Sequence, residues 1–190
     1  MKVRTATVYS FIRPSSLLAE LPLLLAFNAL LVLTSYMAIN LPFSPVPITG
    51  QTFGVLLIGM ALGRVRGTAV VMAYLVEGAM GLPVFAGGTA GFVKFVGPTG
   101  GYLLGFPVAA FVVGYLADRG WDRSYLRSVG AMTAGTVVIF VCGLAWLSRL
   151  VPSGAVLEMG LYPFVPGAVV KLALASVILP SVWKFTGRKS

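Results

Sequence analysis

Two charged side chains, Glu77 and Lys171, lie inside strongly apolar segments of the sequence. An ionised group at bilayer depth is costly, so it usually faces the protein interior, where it has a partner or a ligand. We therefore predict that both residues contact a ligand. The alternative for Lys171 is a structural ion pair with Glu77, and Gly78 and Gly81 beside Glu77 also allow a role in close helix packing.

The sequence offers little for catalysis. It has no histidine, one cysteine and no clustered pair of carboxylates, so the usual general base, metal-ligand sets and an internal disulfide are missing. A Gly-x-x-x-x-Gly-Lys-Ser/Thr phosphate loop is also absent, which excludes ATP use by that route. We predict no enzymatic activity, no metal and no cofactor. A membrane-embedded enzyme is the disfavoured alternative.

The composition is that of a membrane protein, with 58% hydrophobic and 10% charged residues against roughly 25% charged in soluble domains. The net charge of +9 is scattered between apolar runs, which argues against a nucleic-acid partner. We predict an all-α, polytopic protein in contact with membrane lipid, with a single transmembrane domain over residues 1–190. Its six apolar segments are 21–39, 53–62, 68–82, 102–117, 128–147 and 161–183.

Basic residues predict the orientation, because short cytoplasmic loops carry the excess of Lys and Arg. Only Lys94 and Arg149 fall on one side of the six segments. The other side has eleven: Lys2, Arg4, Arg13, Arg64, Arg66, Arg119, Arg123, Arg127, Lys184, Arg188 and Lys189. Both termini are therefore predicted to be cytoplasmic.

The two main connections on the opposite side are apolar but cannot be helical. Residues 41–51 contain three prolines, and residues 81–101 contain seven glycines. Proline fixes φ and removes a donor, whereas glycine permits close backbone approach. These segments either serve as hinges or, as we favour, fold over a small ligand. The segment 53–62 is too short to span alone unless residues 41–51 dip into the protein.

Three motifs in these loops resemble one family: Leu41 to Gln51, the stretch Gly81-Leu-Pro-Val-Phe-Ala-Gly-Gly, and Gly97-Pro-Thr-Gly-Gly-Tyr-Leu-Leu-Gly-Phe106. The chain resembles BioY, the biotin-specific S component of energy-coupling-factor (ECF) vitamin transporters. The resemblance implies a six-helix protein of the prokaryotic plasma membrane that captures biotin at the external face. It also implies a transmembrane coupling protein and ATP-binding-cassette ATPases as partners, with biotin as the transported ligand.

The pocket is expected where both loops meet the start of the last helix. We predict eight ligand-binding residues, with aromatic groups packing the thiophane ring and alkyl chain and Lys171 and Gln51 making polar contacts: Gln51, Glu77, Phe85, Gly88, Thr89, Tyr102, Phe164 and Lys171.

The sequence departs from the family pattern at two places. The family has Pro-Gly-Asp-x-x-Lys in the last helix, whereas here Ala168 replaces the aspartate three residues before Lys171. Biotin's ureido N–H groups then need another acceptor, and an S component for a different small vitamin or cofactor precursor is the alternative. The family often has an Ala-x-x-x-Ala motif on the first helix, where it contacts the coupling protein. The nearest counterpart here is Ala26-Phe-Asn-Ala29, which is one residue shorter, so Ala26 and Ala29 are the predicted coupling residues.

Overall fold

The computed structural model describes residues 16–185, which form helices and one small β-hairpin. Five of the basic residues used to predict the orientation lie outside this range: Lys2, Arg4, Arg13, Arg188 and Lys189. In chain order the elements are α1 (Leu17–Tyr36), β1 (Ala38–Leu41), β2 (Ser44–Thr49), α2 (Gln51–Ala79), α3 (Val93–Val96), α4 (Gly100–Ala117), α5 (Tyr125–Leu147), α6 (Val156–Gly160) and α7 (Val165–Phe185).

Helix α2 is two antiparallel arms, 51–62 and 64–79, joined at Gly63. The φ of Gly63 is +78°, in the region that favours glycine, so the chain reverses there. The arms then touch along their length. A Cβ on Gly67 would lie 2.9 Å from the Gly59 Cα, and Gln51 at the start of one arm bonds to Tyr74 near the end of the other. The arms correspond to the predicted second and third segments.

The all-α membrane fold is confirmed. Among the described residues, five helices are long and apolar enough to cross a membrane, and the reversal within α2 gives six apolar helical segments. Helix–helix contacts are most extensive between α2 and α4 and between α4 and α5, which form the centre of the bundle. Helices α1 and α7 lie at its periphery, with most of their apolar side chains exposed.

The segments that connect the helices contact one another in two groups, which define the two ends of the molecule. At the first, which we call the arginine end, Arg64 pairs with Asp118, Arg66 pairs with Glu20, and the guanidinium of Arg123 lies 4.2 Å from the Trp183 ring centroid. At the other, which we call the hairpin end, Ser44 of β2 bonds to the Met159 carbonyl, Tyr36 just before β1 bonds to the Pro83 carbonyl, and Trp146 bonds to the Gly97 carbonyl.

The proline-containing segment 41–51 is mostly a β-hairpin, which the sequence did not predict. Strands β1 and β2 are antiparallel, with Ala38 opposite Thr49 and Leu41 opposite Ser44. Two of the three prolines, Pro45 and Pro47, lie in β2, which a two-stranded sheet allows because each strand has an unpaired edge. Strand β2 leads directly into α2 and thereby extends the short first arm.

Candidate ligand-binding site

A cavity of about 490 Å³ opens at the hairpin end. Its wall is built from the β-hairpin, the first arm of α2, residues 85–99, and the facing sides of α4, α5 and α7. Apolar groups such as Leu56, Phe106 and Ile139 form much of the lining, and a few polar side chains converge on it. An apolar cavity with a small number of placed polar groups is the usual form of a small-molecule site.

Lys171 connects α7 to the junction of β2 and α2. Its ammonium donates a hydrogen bond to the Thr49 carbonyl and lies 3.3 Å from the Thr52 hydroxyl. An ammonium has three N–H donors, so these two bonds leave one for a ligand in the cavity that Lys171 lines. The alternative, an ion pair between Lys171 and Glu77, is not formed. The Glu77 carboxylate instead accepts a hydrogen bond from the Asn28 amide at 3.1 Å.

Gln51 is buried beside the cavity and held on both sides. Its amide nitrogen donates to the Tyr74 hydroxyl at 2.6 Å, and its amide oxygen accepts from the Thr49 hydroxyl at 3.0 Å. The side chain is 4% exposed, so its orientation is fixed by these partners. An amide oxygen has two acceptor positions, which leaves one for an N–H group of a ligand.

Phe85 anchors the glycine-rich loop to α2. Its ring occupies the space beside Gly78, where an added Cβ would overlap the ring atoms. Edge-to-face contacts with Tyr74 and Phe95, at centroid distances of 5.6 and 5.7 Å, fix the ring from two further sides. The Ser35 hydroxyl donates to the Val84 carbonyl at 2.6 Å. The loop is therefore a packed wall of the cavity.

Tyr102 is held in a similar way on the opposite wall. Its ring fills the space beside Gly143 on α5, where a Cβ would overlap it. Its hydroxyl donates to the Gly160 carbonyl at 2.8 Å, which ties α4 to the end of α6. The ring is 8% exposed and borders the cavity.

The cavity brings together six of the eight predicted residues: Gln51, Phe85, Thr89, Tyr102, Phe164 and Lys171. Glu77 and Gly88 do not line it. Glu77 points to α1 and bonds to Asn28, whereas Gly88 forms a turn with φ +76° and packs against Tyr36. The predicted coupling residues Ala26 and Ala29 are both exposed on α1.

Lys94 is a lining residue that the sequence reasoning missed. Its charge was used only to assign orientation, although a lysine in an apolar, glycine-rich loop was a usable signal. Its ammonium has no ion-pair partner among the described residues. The lining, all of it within the described range, thus carries two ammonium groups and no carboxylate, and Ala168 is part of it.

Residues 5–188 match the profile of the BioY family. The chain belongs to this family. Two similar proteins are named biotin transporter BioY. That of Thermotoga maritima is 40% identical, and the match covers 80% of this chain and 88% of that protein. That of Rhizobium etli is 36% identical, and the match covers 84% of this chain and 90% of that protein. A crystal structure described as the S-component for biotin from an ECF-type ABC transporter superimposes with a TM-score of 0.79 and 29% identity, covering 88% of this chain and 92% of that one.

Family membership agrees with the structure of the hairpin end. The residues that match the family profile, 5–188, include the β-hairpin, the glycine-rich loop and α7, all of which contribute to the cavity wall.

Proposed function

We propose that this chain is the biotin-binding S component of an ECF-type transporter in a prokaryotic plasma membrane. The observation that carries the proposal is the cavity: it lies at one end of a BioY-family bundle, is largely apolar and carries two ammonium groups. Biotin has an apolar thiophane ring and alkyl chain, a carboxylate, and a ureido ring with one carbonyl and two N–H groups. The apolar wall complements the ring and the alkyl chain, and the two ammonium groups can bind the carboxylate and the ureido carbonyl. The Gln51 amide oxygen can accept from a ureido N–H group.

The test is calorimetric titration of the purified full chain with biotin. We expect saturable binding with one site. An alternative ligand is considered because Ala168 stands where the family pattern has an acceptor beside Lys171. Titration with a panel of other small vitamins, run in parallel, tests for such a ligand. Binding of another vitamin but not of biotin would contradict the assignment.

The hairpin end is proposed to face outward, with both termini cytoplasmic. Among the described basic residues, Arg64, Arg66, Arg119, Arg123, Arg127 and Lys184 are at the arginine end. Among the described loops of the hairpin end only Lys94 and Arg149 are basic, and Lys171 lies within α7 beside the cavity. Positive charge concentrates on the cytoplasmic side. In a background where Cys142 is replaced, single cysteines at Ser190 and Thr89 should report opposite sides of intact cells; external labelling of both contradicts this orientation.

Uptake is proposed to need an ECF coupling protein and ATP-binding-cassette ATPases, since this chain has no phosphate loop. Ala26 and Ala29 are the proposed coupling contacts, because small exposed side chains allow another helix to approach closely. Vesicles that contain this chain alone should bind biotin without concentrating it. Accumulation above the external level, with neither partner nor ion gradient, would overturn the proposal.

A further inference from the structure

At the end of α4, two arginine side chains lie against the Tyr115 ring: Arg64 from the second arm of α2 and Arg119 from just after α4. The guanidinium carbon of Arg119 lies 3.7 Å from the centroid of the Tyr115 ring, and that of Arg64 lies 5.8 Å from it. Both positive charges lie against the same ring, and like charges repel unless an anion is nearby. Asp118 supplies one carboxylate, 3.7 Å from Arg64 Nε, whereas Arg119 has no ion-pair partner among the described residues. The cluster keeps one positive charge.

An exposed apolar stripe on α4 leads directly to this cluster. Leu104, Val108 and Phe111 are each about half exposed, and their spacing places them on one face of the helix. The Phe111 ring stacks on Tyr115, with centroids 6.4 Å apart and planes 13° apart. In a protein that crosses the bilayer, this face meets acyl chains, so Tyr115 and the arginines lie at the level where headgroups begin.

We propose that Arg64, Tyr115 and Arg119 form a binding site for the phosphate of an anionic phospholipid whose acyl chain lies along the α4 stripe. Planar guanidinium groups donate paired N–H bonds to phosphate oxygens, and two of them can grip one phosphate. Basic side chains beside the bilayer attract anionic headgroups. The remaining positive charge of the cluster disfavours a choline headgroup, because its quaternary ammonium would lie beside these arginines.

The test is a lipid titration of the purified full chain in detergent, followed by native mass spectrometry. Phosphatidylglycerol and phosphatidylcholine with the same acyl chains differ only in the headgroup, and inorganic phosphate provides an arm without acyl chains. We expect wild type to retain phosphatidylglycerol preferentially and to retain little phosphate. Arg119→Gln should raise the Kd for phosphatidylglycerol about tenfold, as expected for one lost charge-assisted hydrogen bond. Arg64→Gln combined with Arg119→Gln should abolish the preference over phosphatidylcholine.

Two arginines provide matched controls. Arg127 is exposed near the same end, and Arg149 lies at the hairpin end, with its guanidinium 5.7 Å from the Trp146 ring centroid. Arg127→Gln and Arg149→Gln should leave phosphatidylglycerol retention unchanged. Biotin binding, measured on every variant, checks that the fold is intact, and Arg119→Gln leaves the Arg64–Asp118 pair in place.

The proposal is overturned by any of four results. These are equal wild-type retention of both lipids, unchanged retention in Arg119→Gln, the same loss in Arg127→Gln, or binding of phosphate alone as tightly as phosphatidylglycerol.

Discussion

Replacing Lys171 with alanine should weaken biotin binding by removing a donor from the cavity wall. The ammonium is already bonded to the Thr49 carbonyl and lies near the Thr52 hydroxyl, so it has one N–H left for the ligand. A charge-assisted hydrogen bond is worth roughly 1.5–3 kcal/mol, which corresponds to about a tenfold to hundredfold rise in Kd.

The same substitution should lower thermal stability modestly, for a reason unrelated to Glu77. It removes the donor that Lys171 provides to the part-buried Thr49 carbonyl, and the loss of one such hydrogen bond costs about 1 kcal/mol. Because Glu77 bonds to Asn28, the stability effects of Lys171→Ala and Glu77→Gln should add in the double variant. Recovery of stability in the double variant would show that Lys171 and Glu77 interact after all.

Calorimetry on the purified variants measures the affinity, and a melting curve measures the stability. Lys184→Ala is the matched control: it lies on the same helix, is exposed, and is outside the cavity, with its ammonium 4.6 Å from the Tyr125 ring centroid. That variant should bind biotin like wild type. Unchanged biotin affinity in folded Lys171→Ala would remove Lys171 from the site.

Three other substitutions probe the surroundings of the cavity. Gly78→Ala should displace the Phe85 ring, and this overpacking should cost about 1–3 kcal/mol of stability. Both the melting temperature and the biotin affinity should therefore fall. Unchanged affinity would mean that the loop is not a fixed wall of the cavity. Glu77→Gln keeps a hydrogen-bond acceptor for Asn28 and removes a charge from the membrane, so calorimetry should show unchanged biotin affinity and melting should be equal or higher. Ala168→Asp restores an acceptor to the cavity lining and should tighten biotin binding about tenfold if the ureido ring lies there, whereas a rise in Kd would place that ring elsewhere.

The helices were predictable because their signal is local. Apolar runs separated by charged or glycine- and proline-rich segments are present in the sequence itself, and the predicted boundaries differ from the observed ones by a few residues. The β-hairpin was not predictable in the same way. Its prolines correctly excluded a helix, but strand pairing across residues 38–49 depends on backbone bonds between β1 and β2, which leave no periodic trace in so short a segment.

The candidate site was predictable only where residue type itself carried information. A lysine in an apolar helix indicated the cavity, and Lys171 does line it. Glu77 gave the same signal, but its nearest polar partner is Asn28 on α1, a pairing over 49 positions of sequence that spacing alone cannot reveal. Gly88 was named as part of a loop motif, although its positive φ serves the turn.

The arrangement of the cavity wall explains how a rigid core and a more loosely attached helix can share one site. Two aromatic side chains, Phe85 and Tyr102, fill spaces that glycines on neighbouring helices leave open, so these parts of the wall are held by packing. Helix α7 is mostly exposed, and Lys171 joins it to the β2–α2 junction through the Thr49 carbonyl. A ligand that bonds to Lys171 while packing against Tyr102 would add a contact between α7 and the core at the hairpin end, whereas Arg123 already contacts Trp183 of α7 at the arginine end. If biotin binds only the arrangement in which α7 is attached, it stabilises that arrangement by RT ln(1 + [L]/Kd). A variant that loosens α7 should therefore bind biotin more weakly.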